Sequence, residues 1–401
     1  MRLFLVTLSL IMLMVKLLKL YLNKNQRDKG LPDELKGFYS KHQYNKWMRY
    51  ENVTDNYAVI KLVIHFIFDC ILILSPFYCF LSSLFDQDVL LNSLGMICVM
   101  YVFESLVGMI EEYYRIFKIE EKFGMNKTTI KTFIGDSVKE FVIDILMIII
   151  LVLFVHYFYK WFSFYGFVVL FIVIGGFVTI IQKNGLRILR IYNQFTPLED
   201  GEFKNKIYDL VSKQGFKLKG VYIMDASKRT TRANAFCLGD KEKEICIDDN
   251  MFKNYSDKEI LAVFSHELGH AVYNHNQQLK LMNYFKMTLF FILFIVVVID
   301  PTLYRDFGIN QLNYYMIMIL LSHFISPLMF LLDIPASQLS RKCEYEADEF
   351  AAGQGYGIEL ANILKKLTKN SLSDVLPHPL VVKLTYSHPS LIERVKKLKK
   401  P

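Results

Sequence analysis

The sequence of 401 residues has few cysteines, and none of them form a recognisable motif. The six lie far apart, without a C-x-x-C spacing, at Cys70, Cys79, Cys98, Cys237, Cys246 and Cys343. Disulfide frameworks and cysteine zinc sites both depend on close, repeated cysteine spacing. The sequence therefore predicts neither a disulfide-stabilised protein nor a cysteine-based zinc site.

Histidine is also scarce, with nine in the chain, and charged residues make up only 21% of the sequence. The net charge of +8 does not indicate a nucleic-acid-binding protein, because the Lys and Arg residues flank apolar stretches instead of forming one patch. Apolar residues account for 53% of the chain, and the mean hydropathy is positive. This composition predicts a polytopic membrane protein with a substantial polar domain.

Seven apolar stretches are long enough to cross a bilayer, since about 20 helical residues span its hydrocarbon core. They cover approximately residues 2–22, 58–82, 89–112, 138–159, 163–182, 285–303 and 314–332. The first is predicted to remain as a membrane span, because no small-x-small cleavage site follows it. Residues 24–57 are interpreted as a polar linker, and Ser75-Pro76 predicts a kink in the second span.

The predicted spans divide the chain into four parts. These are an N-terminal membrane domain (1–182), the first half of a polar domain (183–284), two further spans (285–332) and the second half of the polar domain (333–401). Lys and Arg concentrate in alternate loops, which the positive-inside rule places in the cytosol together with both polar halves. On this topology the glycosylation motifs at Asn52, Asn126 and Asn254 are cytosolic and should stay unmodified.

Five polar residues fall inside the predicted spans: His65, Asp69, Glu104, Asp144 and His156. Polar groups in a membrane are costly and indicate either hydrogen bonds between helices or the lining of a cavity. The sequence favours neither explanation over the other.

The most informative stretch is Ser265-His266-Glu267-Leu268-Gly269-His270, which contains the pattern H-E-x-x-H. Two histidines four residues apart share one face of a helix, so both imidazoles can bind one metal ion. Glu267 lies beside them and can act as a general base. This is the arrangement of zinc peptidases, in which the zinc needs a third protein ligand and an open position for water. The alternative is an ordinary pair of helix histidines that binds no metal.

Candidates for the third ligand lie in the second polar half, within residues 340–348. Glu344 and Asp348 are four residues apart and share a helix face, whereas Glu346 points elsewhere. One of the pair is predicted to bind the metal, and the other to accept a hydrogen bond from the far ring nitrogen of a ligand histidine. The spacing alone does not decide between them.

Short strands are predicted upstream of the H-E-x-x-H motif, at Val221–Asp225 and Glu244–Asp248. Thr231–Leu238 is predicted to be extended between them, and Gly239-Asp240 to form a turn. A strand beside the metal-binding helix can hold an extended peptide by main-chain hydrogen bonds. Asn234 would then present its amide to the substrate backbone.

The C-terminal segment places a histidine and an arginine, His388 and Arg394, just before and within a last helix. Taken alone, His388 fits an ordinary surface histidine better than a catalytic one. Lys397 and Lys399 match the dilysine pattern for return to the endoplasmic reticulum, and a basic helix end explains them equally well.

Together these features resemble the type I CAAX prenyl proteases, integral-membrane zinc metallopeptidases that trim prenylated proteins. The resemblance covers nearly the whole length, and the seven predicted spans match. The matching motifs occur in the order Tyr114–Lys127, Gln194–Leu198, Ser227–Arg229, Ala233–Phe236, the zinc motif, Ser340-Arg341 with Glu344 and Ala347-Asp348, and Ser387–Pro389 with Glu393-Arg394. One departure is Ala271, where the family often has Trp, and it concerns substrate preference rather than the reaction.

The resemblance also implies the roles of the site residues. One Zn²⁺ per chain is expected to be bound by three ligands, His266, His270 and Glu344. Asp348 is expected to support a ligand histidine. Glu267 is the expected general base. The other residues expected to line the catalytic site are Asn234, Arg394 and His388, with His388 stabilising the oxyanion.

The implied fold is mainly α-helical, with seven transmembrane helices enclosing a chamber and a gluzincin-like peptidase domain that contains a small β-hairpin or sheet. The implied activity removes the last three residues from farnesylated or geranylgeranylated CAAX proteins. The expected location is the endoplasmic reticulum membrane, with the nuclear envelope as a second location and the active site facing the cytosol. The expected partners are these substrates and the lipid bilayer, with no nucleic acid and no implied oligomer.

Two alternatives accompany this interpretation. A membrane quality-control metalloprotease of the bacterial heat-shock type shares the zinc motif and the acidic helix, but it has fewer spans. A chamber-forming binding protein without catalysis would not need the intact His266, Glu267, His270 and Glu344.

Overall fold

The computed structural model describes residues 1–162, 164–239, 242–300 and 302–399, so Asp240 of the predicted turn lies outside the described residues. The helices are α1 (Arg2–Arg27), α2 (Lys41–Leu74), α3 (Phe77–Ser83), α4 (Val89–Tyr114), α5 (Ile130–Phe162), α6 (Phe164–Lys183), α7 (Gly185–Leu189), α8 (Glu202–Lys213), α9 (Asp249–Asn254), α10 (Asp257–Val272), α11 (His275–Ile299), α12 (Thr302–Arg305), α13 (Tyr314–Gly353), α14 (Gly357–Asn370), α15 (Pro379–Thr385) and α16 (Leu391–Leu398). The strands are β1 (Phe195–Pro197), β2 (Lys217–Met224), β3 (Ala235–Leu238) and β4 (Glu242–Asp248).

Among the described residues, six helices are long and apolar enough to cross a membrane: α1, α2, α4, α5, α11 and α13. In α6 the apolar stretch Val168–Ile181 is shorter. The chain is therefore a mainly α-helical, multi-pass membrane protein, as predicted. The total of seven spans stays a prediction.

The prediction of a polar linker over residues 24–57 is wrong in its second half, because α2 begins at Lys41. Ser40 caps this helix: its hydroxyl accepts a hydrogen bond from the backbone of Gln43, whose side chain accepts one from Ser40 in return. The first turns of α2 bury Trp47 and Tyr50 in the core of the polar domain. Residues 41–57 contain no long apolar run, so hydropathy alone does not predict this helix start. The predicted kink is present as the break between α2 and α3 at Ser75-Pro76.

The longest helix, α13, belongs to both the membrane part and the polar part. It has 40 residues and does not break at the predicted end of the last span near residue 332. At 1.5 Å per residue it is about 60 Å long, roughly twice the thickness of the hydrocarbon core. The polar end of α13 therefore lies well beyond the apolar stretch, and this end carries Glu344 and Asp348.

A mixed four-stranded sheet has the strand order β1-β2-β4-β3. Strands β2 and β4 are parallel, and β1 and β3 pair antiparallel with β2 and β4. The predicted strands Val221–Asp225 and Glu244–Asp248 lie almost entirely in β2 and β4, whereas β1 was not predicted. Strand β3 is at an edge of the sheet and packs against α10.

Buried apolar side chains form two separate clusters. One lies in the polar domain and joins the start of α2 to the sheet, α10, α14 and α16, with Ile245, Leu268 and Val395 among its members. The other lies between the membrane helices and includes Ile97 and Tyr304. The polar domain therefore has its own core, to which the first turns of α2 contribute.

The intramembrane polar residues have both kinds of role that the sequence left open. A cavity of about 670 Å³ between α1, α2, α4 and α13 is lined in part by His65, Asp69 and Glu104. Hydrogen bonds between helices join Tyr101 to Asp144 at 3.2 Å and Tyr314 to His156 at 3.1 Å. Asp69 combines the two roles, because it also lies 3.1 Å from Nε2 of His323.

Candidate metal centre

Helix α10 places His266 and His270 side by side. It begins with a capping box, in which Glu259 accepts hydrogen bonds from the backbone and hydroxyl of Ser256. The four-residue interval between His266 and His270 puts both imidazoles on one face of the helix, with their Nε2 atoms 3.2 Å apart. A cation placed between the two rings can accept the lone pairs of both Nε2 atoms.

Helix α13 brings a carboxylate to the same point. The two oxygens of Glu344 lie 3.5 Å from Nε2 of His266 and 3.4 Å from Nε2 of His270. The helices can approach this closely because Gly269 faces Ala347. A Cβ at Gly269 would lie 3.0 Å from the Cα of Ala347, tighter than ordinary contacts.

The donor set fits a small divalent cation. His266, His270 and Glu344 each offer one ligand atom, and these atoms all lie within 4.8 Å of one another. The far nitrogen of His266, Nδ1, lies 3.0 Å from Oδ1 of Asp348, which leaves Nε2 free to bind a metal. Two imidazole nitrogens and a carboxylate are a common ligand set for a catalytic metal.

A buried arginine holds the carboxylates in place. Arg394 donates hydrogen bonds from Nε and Nη2 to the two oxygens of Asp348, at 2.8 and 2.6 Å. Its Nη1 lies 3.1 Å from Oε2 of Glu344. Burial alone would raise the pKa of Asp348, but the hydrogen bonds from His266 and Arg394 lower it below its ordinary value. Asp348 is therefore ionised at neutral pH.

The same contacts act on His266. Burial lowers its pKa, but the hydrogen bonds to Asp348 and Glu344 outweigh this effect and raise the pKa to about 9. A proton and a metal ion compete for the same lone pair on Nε2. A positive charge at this nitrogen is therefore favoured by the surrounding carboxylates, whichever species supplies it.

His388 lies at the mouth of the site, where 63% of its side chain is exposed. Its Nε2 lies 3.3 Å from Oε1 of Glu344, and its Nδ1 lies 3.0 Å from the hydroxyl of Ser387. The loop is fixed from α13, because Arg341 donates to the main-chain oxygen of Tyr386 at 2.6 Å. His388 is thus near the cluster and accessible from outside.

Glu267 and Asn234 differ in their surroundings. Glu267 is half-buried, and within the described part of the chain it makes no hydrogen bond or ion pair that would occupy its carboxylate. Asn234 lies directly before β3, and its Oδ1 accepts a hydrogen bond from the backbone of Ala235 at 3.0 Å. Among the described residues its side chain makes no hydrogen bond to the histidine and glutamate cluster.

Two residues near the cluster were not predicted as part of it. His275 is completely buried, and its Nδ1 lies 2.9 Å from Nδ1 of His270. Its Nε2 lies 2.9 Å from Oε2 of Glu346, the residue that the helix spacing had directed elsewhere. Asn274, with a positive φ of 54°, turns the chain between α10 and α11 and brings His275 back to His270. The only signal in the sequence was a third histidine five residues after His270.

Comparisons with known proteins fit this geometry. The sequence model of peptidase family M48 matches residues 197–401, which include every residue of the cluster. The chain belongs to peptidase family M48. A second model, described as CAAX prenyl protease N-terminal with five membrane helices, matches residues 21–183. As an M48 member, the chain is a metalloendopeptidase embedded in a membrane, and the family resemblance drawn from its motifs is confirmed.

Relatives of this M48 member come from several eukaryotes. Probable CAAX prenyl protease 1 of Schizosaccharomyces pombe is 32% identical over 73% of this chain and 63% of the relative. CAAX prenyl protease 1 of Saccharomyces cerevisiae is 32% identical over 75% of this chain and 71% of the relative. The CAAX prenyl protease 1 homolog of Arabidopsis thaliana is 28% identical over 91% of this chain and 89% of the relative. The alignment thus covers just under two thirds of the S. pombe protein.

The fold also matches a solved structure. The crystal structure of S. mikatae Ste24p superposes with a TM-score of 0.93 and covers 100% of this chain and 99% of the other, at 24% sequence identity. At this identity the match establishes the fold, so the predicted combination of membrane helices and a peptidase domain with a small sheet is confirmed.

Proposed function

We propose that this chain is a zinc-dependent endopeptidase that removes the last three residues from farnesylated or geranylgeranylated proteins ending in a C-a-a-X box. The observation that carries the proposal is the convergence of His266, His270 and Glu344 on one point, with Glu267 next to His266 in α10. The substrate class rests on the relatives, which are named as CAAX prenyl proteases.

In this proposal His266, His270 and Glu344 hold one zinc ion, which when bound lowers the pKa of a water molecule and polarises the scissile carbonyl. Glu267 takes the proton of the attacking water and later delivers it to the leaving amine. His388 donates a hydrogen bond to the carbonyl oxygen as this oxygen becomes negative. Its exposed position suits a group that meets the substrate.

Asp348 and Arg394 keep the ligands in position. Asp348 accepts a hydrogen bond from Nδ1 of His266, which directs the lone pair of Nε2 toward the metal. Arg394 pairs with both buried carboxylates, offsets part of their charge and links α16 to α13. Without this cation, two acidic groups would face each other in a buried site at a high cost in free energy.

The substrate peptide is proposed to pair with the free edge of β3. Edge strands offer unpaired main-chain groups, and an extended peptide can add to such an edge beside α10. Asn234, at the start of β3, would direct its amide to the peptide backbone. The membrane helices would hold the isoprenoid group.

The proposed location is the endoplasmic reticulum membrane, or the nuclear envelope, with the active site in the cytosol. Seven spans would connect the membrane domain (1–182), the two halves of the peptidase domain (183–284 and 333–401) and the span pair between these halves (285–332). The dilysine pattern at Lys397 and Lys399 supports this location. Attached glycan at Asn52, Asn126 or Asn254 would contradict the orientation.

Cleavage assays with the purified full-length protein test the proposal. Two C-a-a-X peptides of identical sequence, one farnesylated and one not, are incubated with the protein, and the released tripeptide is measured by mass spectrometry. Release from the farnesylated peptide alone, abolished by a zinc chelator, is expected. No release from either peptide rejects the proposal, and equal release from both favours a general quality-control protease.

A further inference from the structure

The far ring nitrogen of His270 faces a second histidine instead of a carboxylate. Nδ1 of His270 lies 2.9 Å from Nδ1 of His275, and Nε2 of His275 lies 2.9 Å from Oε2 of Glu346. His275 is fully buried, whereas Glu346 is half-exposed. The three side chains form a continuous chain that starts at the metal ligand and ends at an anion near the surface.

The positions of the protons in this chain follow from the metal. A metal ion on Nε2 of His270 leaves the ring proton on Nδ1, which can then only donate. Nδ1 of His275 must therefore accept, so the proton of neutral His275 is on its Nε2. That N–H faces the carboxylate of Glu346, which can only accept. Each contact then has one donor and one acceptor.

We propose that His275 and Glu346 are positioning residues that orient His270 as a metal ligand and increase its basicity. This inference rests on the proposed zinc site. The other ligand, His266, has a carboxylate, Asp348, directly on its far nitrogen at 3.0 Å. His270 obtains the same kind of support through one intervening imidazole.

A different use of the same residues is a second metal site. His275, Cys343 and Glu346 offer ligand atoms that lie within 4.8 Å of one another. A metal ion on Nε2 of His275 would displace the proton that this nitrogen shares with Glu346 and leave a proton on Nδ1. This proton would oppose the N–H of His270 across 2.9 Å. The hydrogen-bonded chain from His270 through His275 to Glu346, called the relay below, and the second metal site therefore exclude each other while zinc is bound to His270.

The test compares four variants of the full-length protein, His275→Leu, His275→Gln, Glu346→Gln and Lys342→Met. Zinc dissociation constants are measured by competition with a chromophoric chelator at one pH, and each variant's thermal unfolding is recorded alongside. His275→Leu removes both contacts and is expected to raise the dissociation constant about 10- to 100-fold. His275→Gln restores an acceptor and a donor, so most of the affinity should return. Glu346→Gln should give a smaller loss.

Lys342→Met is the matched control, because Lys342 is 70% exposed and its one ion pair among the described residues is with Oε1 of Glu346, at 3.6 Å. It should leave the zinc affinity unchanged. Zinc affinities equal to wild type in His275→Leu and Glu346→Gln overturn the proposal. Equal losses of zinc affinity in His275→Leu and His275→Gln also overturn it, since they would show a packing effect rather than a hydrogen-bonded relay. If His275→Leu does not fold, Glu346→Gln decides the outcome.

Cobalt substitution separates the relay from a second metal site. A thiolate-to-cobalt charge-transfer band, or a second bound equivalent lost in Cys343→Ala, would assign the cluster to a metal and overturn the relay. Failure of the proposed function has a different signature: the wild-type protein would bind no zinc or cleave no peptide. A wild-type protein that binds zinc and cleaves, together with unaffected variants, rejects the relay alone.

Discussion

Two clusters of buried charge in the described part of the chain are built in opposite ways. At the first, near the end of α1, the guanidinium of Arg27 is only 2% exposed and occupies the centre. Asp55 lies 2.8 Å from it and Asp374 lies 3.8 Å from it. At the second, His266, His270 and Glu344 point their lone pairs at one common position. The arginine of that cluster, Arg394, pairs with Glu344 and Asp348, and its Nη2 lies 3.5 Å from Nε2 of His266.

The difference shows what distinguishes a metal centre from a structural ion cluster. Both clusters are buried and contain an arginine with several carboxylates, so burial and ion pairing alone do not identify a site. Convergence of lone pairs on a position that no protein cation fills does identify one. The pKa shifts follow the same division. Burial raises the pKa of Asp374 above its ordinary value, whereas hydrogen bonds from His266 and Arg394 overcome burial and lower that of Asp348.

The largest expected effect is on turnover at the metal centre. Glu267→Gln keeps the shape of the side chain but removes its ability to take a proton, so kcat should fall about 10²- to 10⁴-fold. The bound zinc should stay at the wild-type level, since Glu267 is not a ligand in this account. The check is kcat with a farnesylated peptide, together with the metal content of the same sample. Full activity in the variant would assign the proton transfer to another group.

The next effect concerns folding and separates the two clusters. Arg27→Met leaves buried carboxylates without their cation, and should lower the free energy of unfolding by about 3–5 kcal/mol. Any surviving folded protein should still bind zinc. Thermal and denaturant unfolding of the solubilised protein measure the loss. Lys36→Met is the control, because Lys36 is 67% exposed and pairs with an exposed Asp33. A change as small as that of the control would show that the ion pairs of Arg27 do not stabilise the folded protein.

A smaller effect is expected from the support of His266. Asp348→Asn keeps a side chain of the same size but loses the charge that orients this histidine, so zinc affinity should fall about 10- to 100-fold. Glu349→Gln, an exposed neighbour on the same helix, should not change it. Chelator competition measures both variants. An unchanged affinity in Asp348→Asn would mean that Arg394 alone sets the geometry.

The smallest effect is a pH dependence at the Arg27 cluster. Since the pKa of folded Asp374 is raised, the folded protein holds a proton that the unfolded chain releases near pH 4. The stability from this group is complete below the unfolded pKa and is lost as pH rises through the folded one. As pH rises above about 4, Tm should therefore fall less in Asp374→Asn than in wild type. Parallel profiles of Tm against pH in the two proteins would show that Asp374 is not the source of the pH dependence.

Much of the candidate site could be predicted from local spacing. The four-residue interval puts His266 and His270 on one face whatever the rest of the fold does, and the same holds for Glu344 and Asp348. The choice between these two carboxylates came from the family resemblance. In the structure Glu344 lies nearest the Nε2 atoms, while Asp348 lies at the far nitrogen of His266.

The remaining features depend on contacts that spacing does not encode. Glu346 was placed away from the site by its position on α13, yet it meets His275 because the chain reverses at Asn274. Arg27 and Asp374 are neighbours although 347 positions separate them in the sequence. The polar start of α2 has no apolar run and is held by tertiary packing, so a reading based on hydropathy could not find it.

The most direct test of the account is the metal content of three purified proteins, measured per chain by mass spectrometry. The wild type and Arg27→Met should each hold one zinc, while Glu344→Ala should hold almost none after gel filtration. This result would assign the zinc to the cluster whose lone pairs converge. Wild-type zinc content in Glu344→Ala, or zinc lost from Arg27→Met while this variant remains folded, would contradict the account.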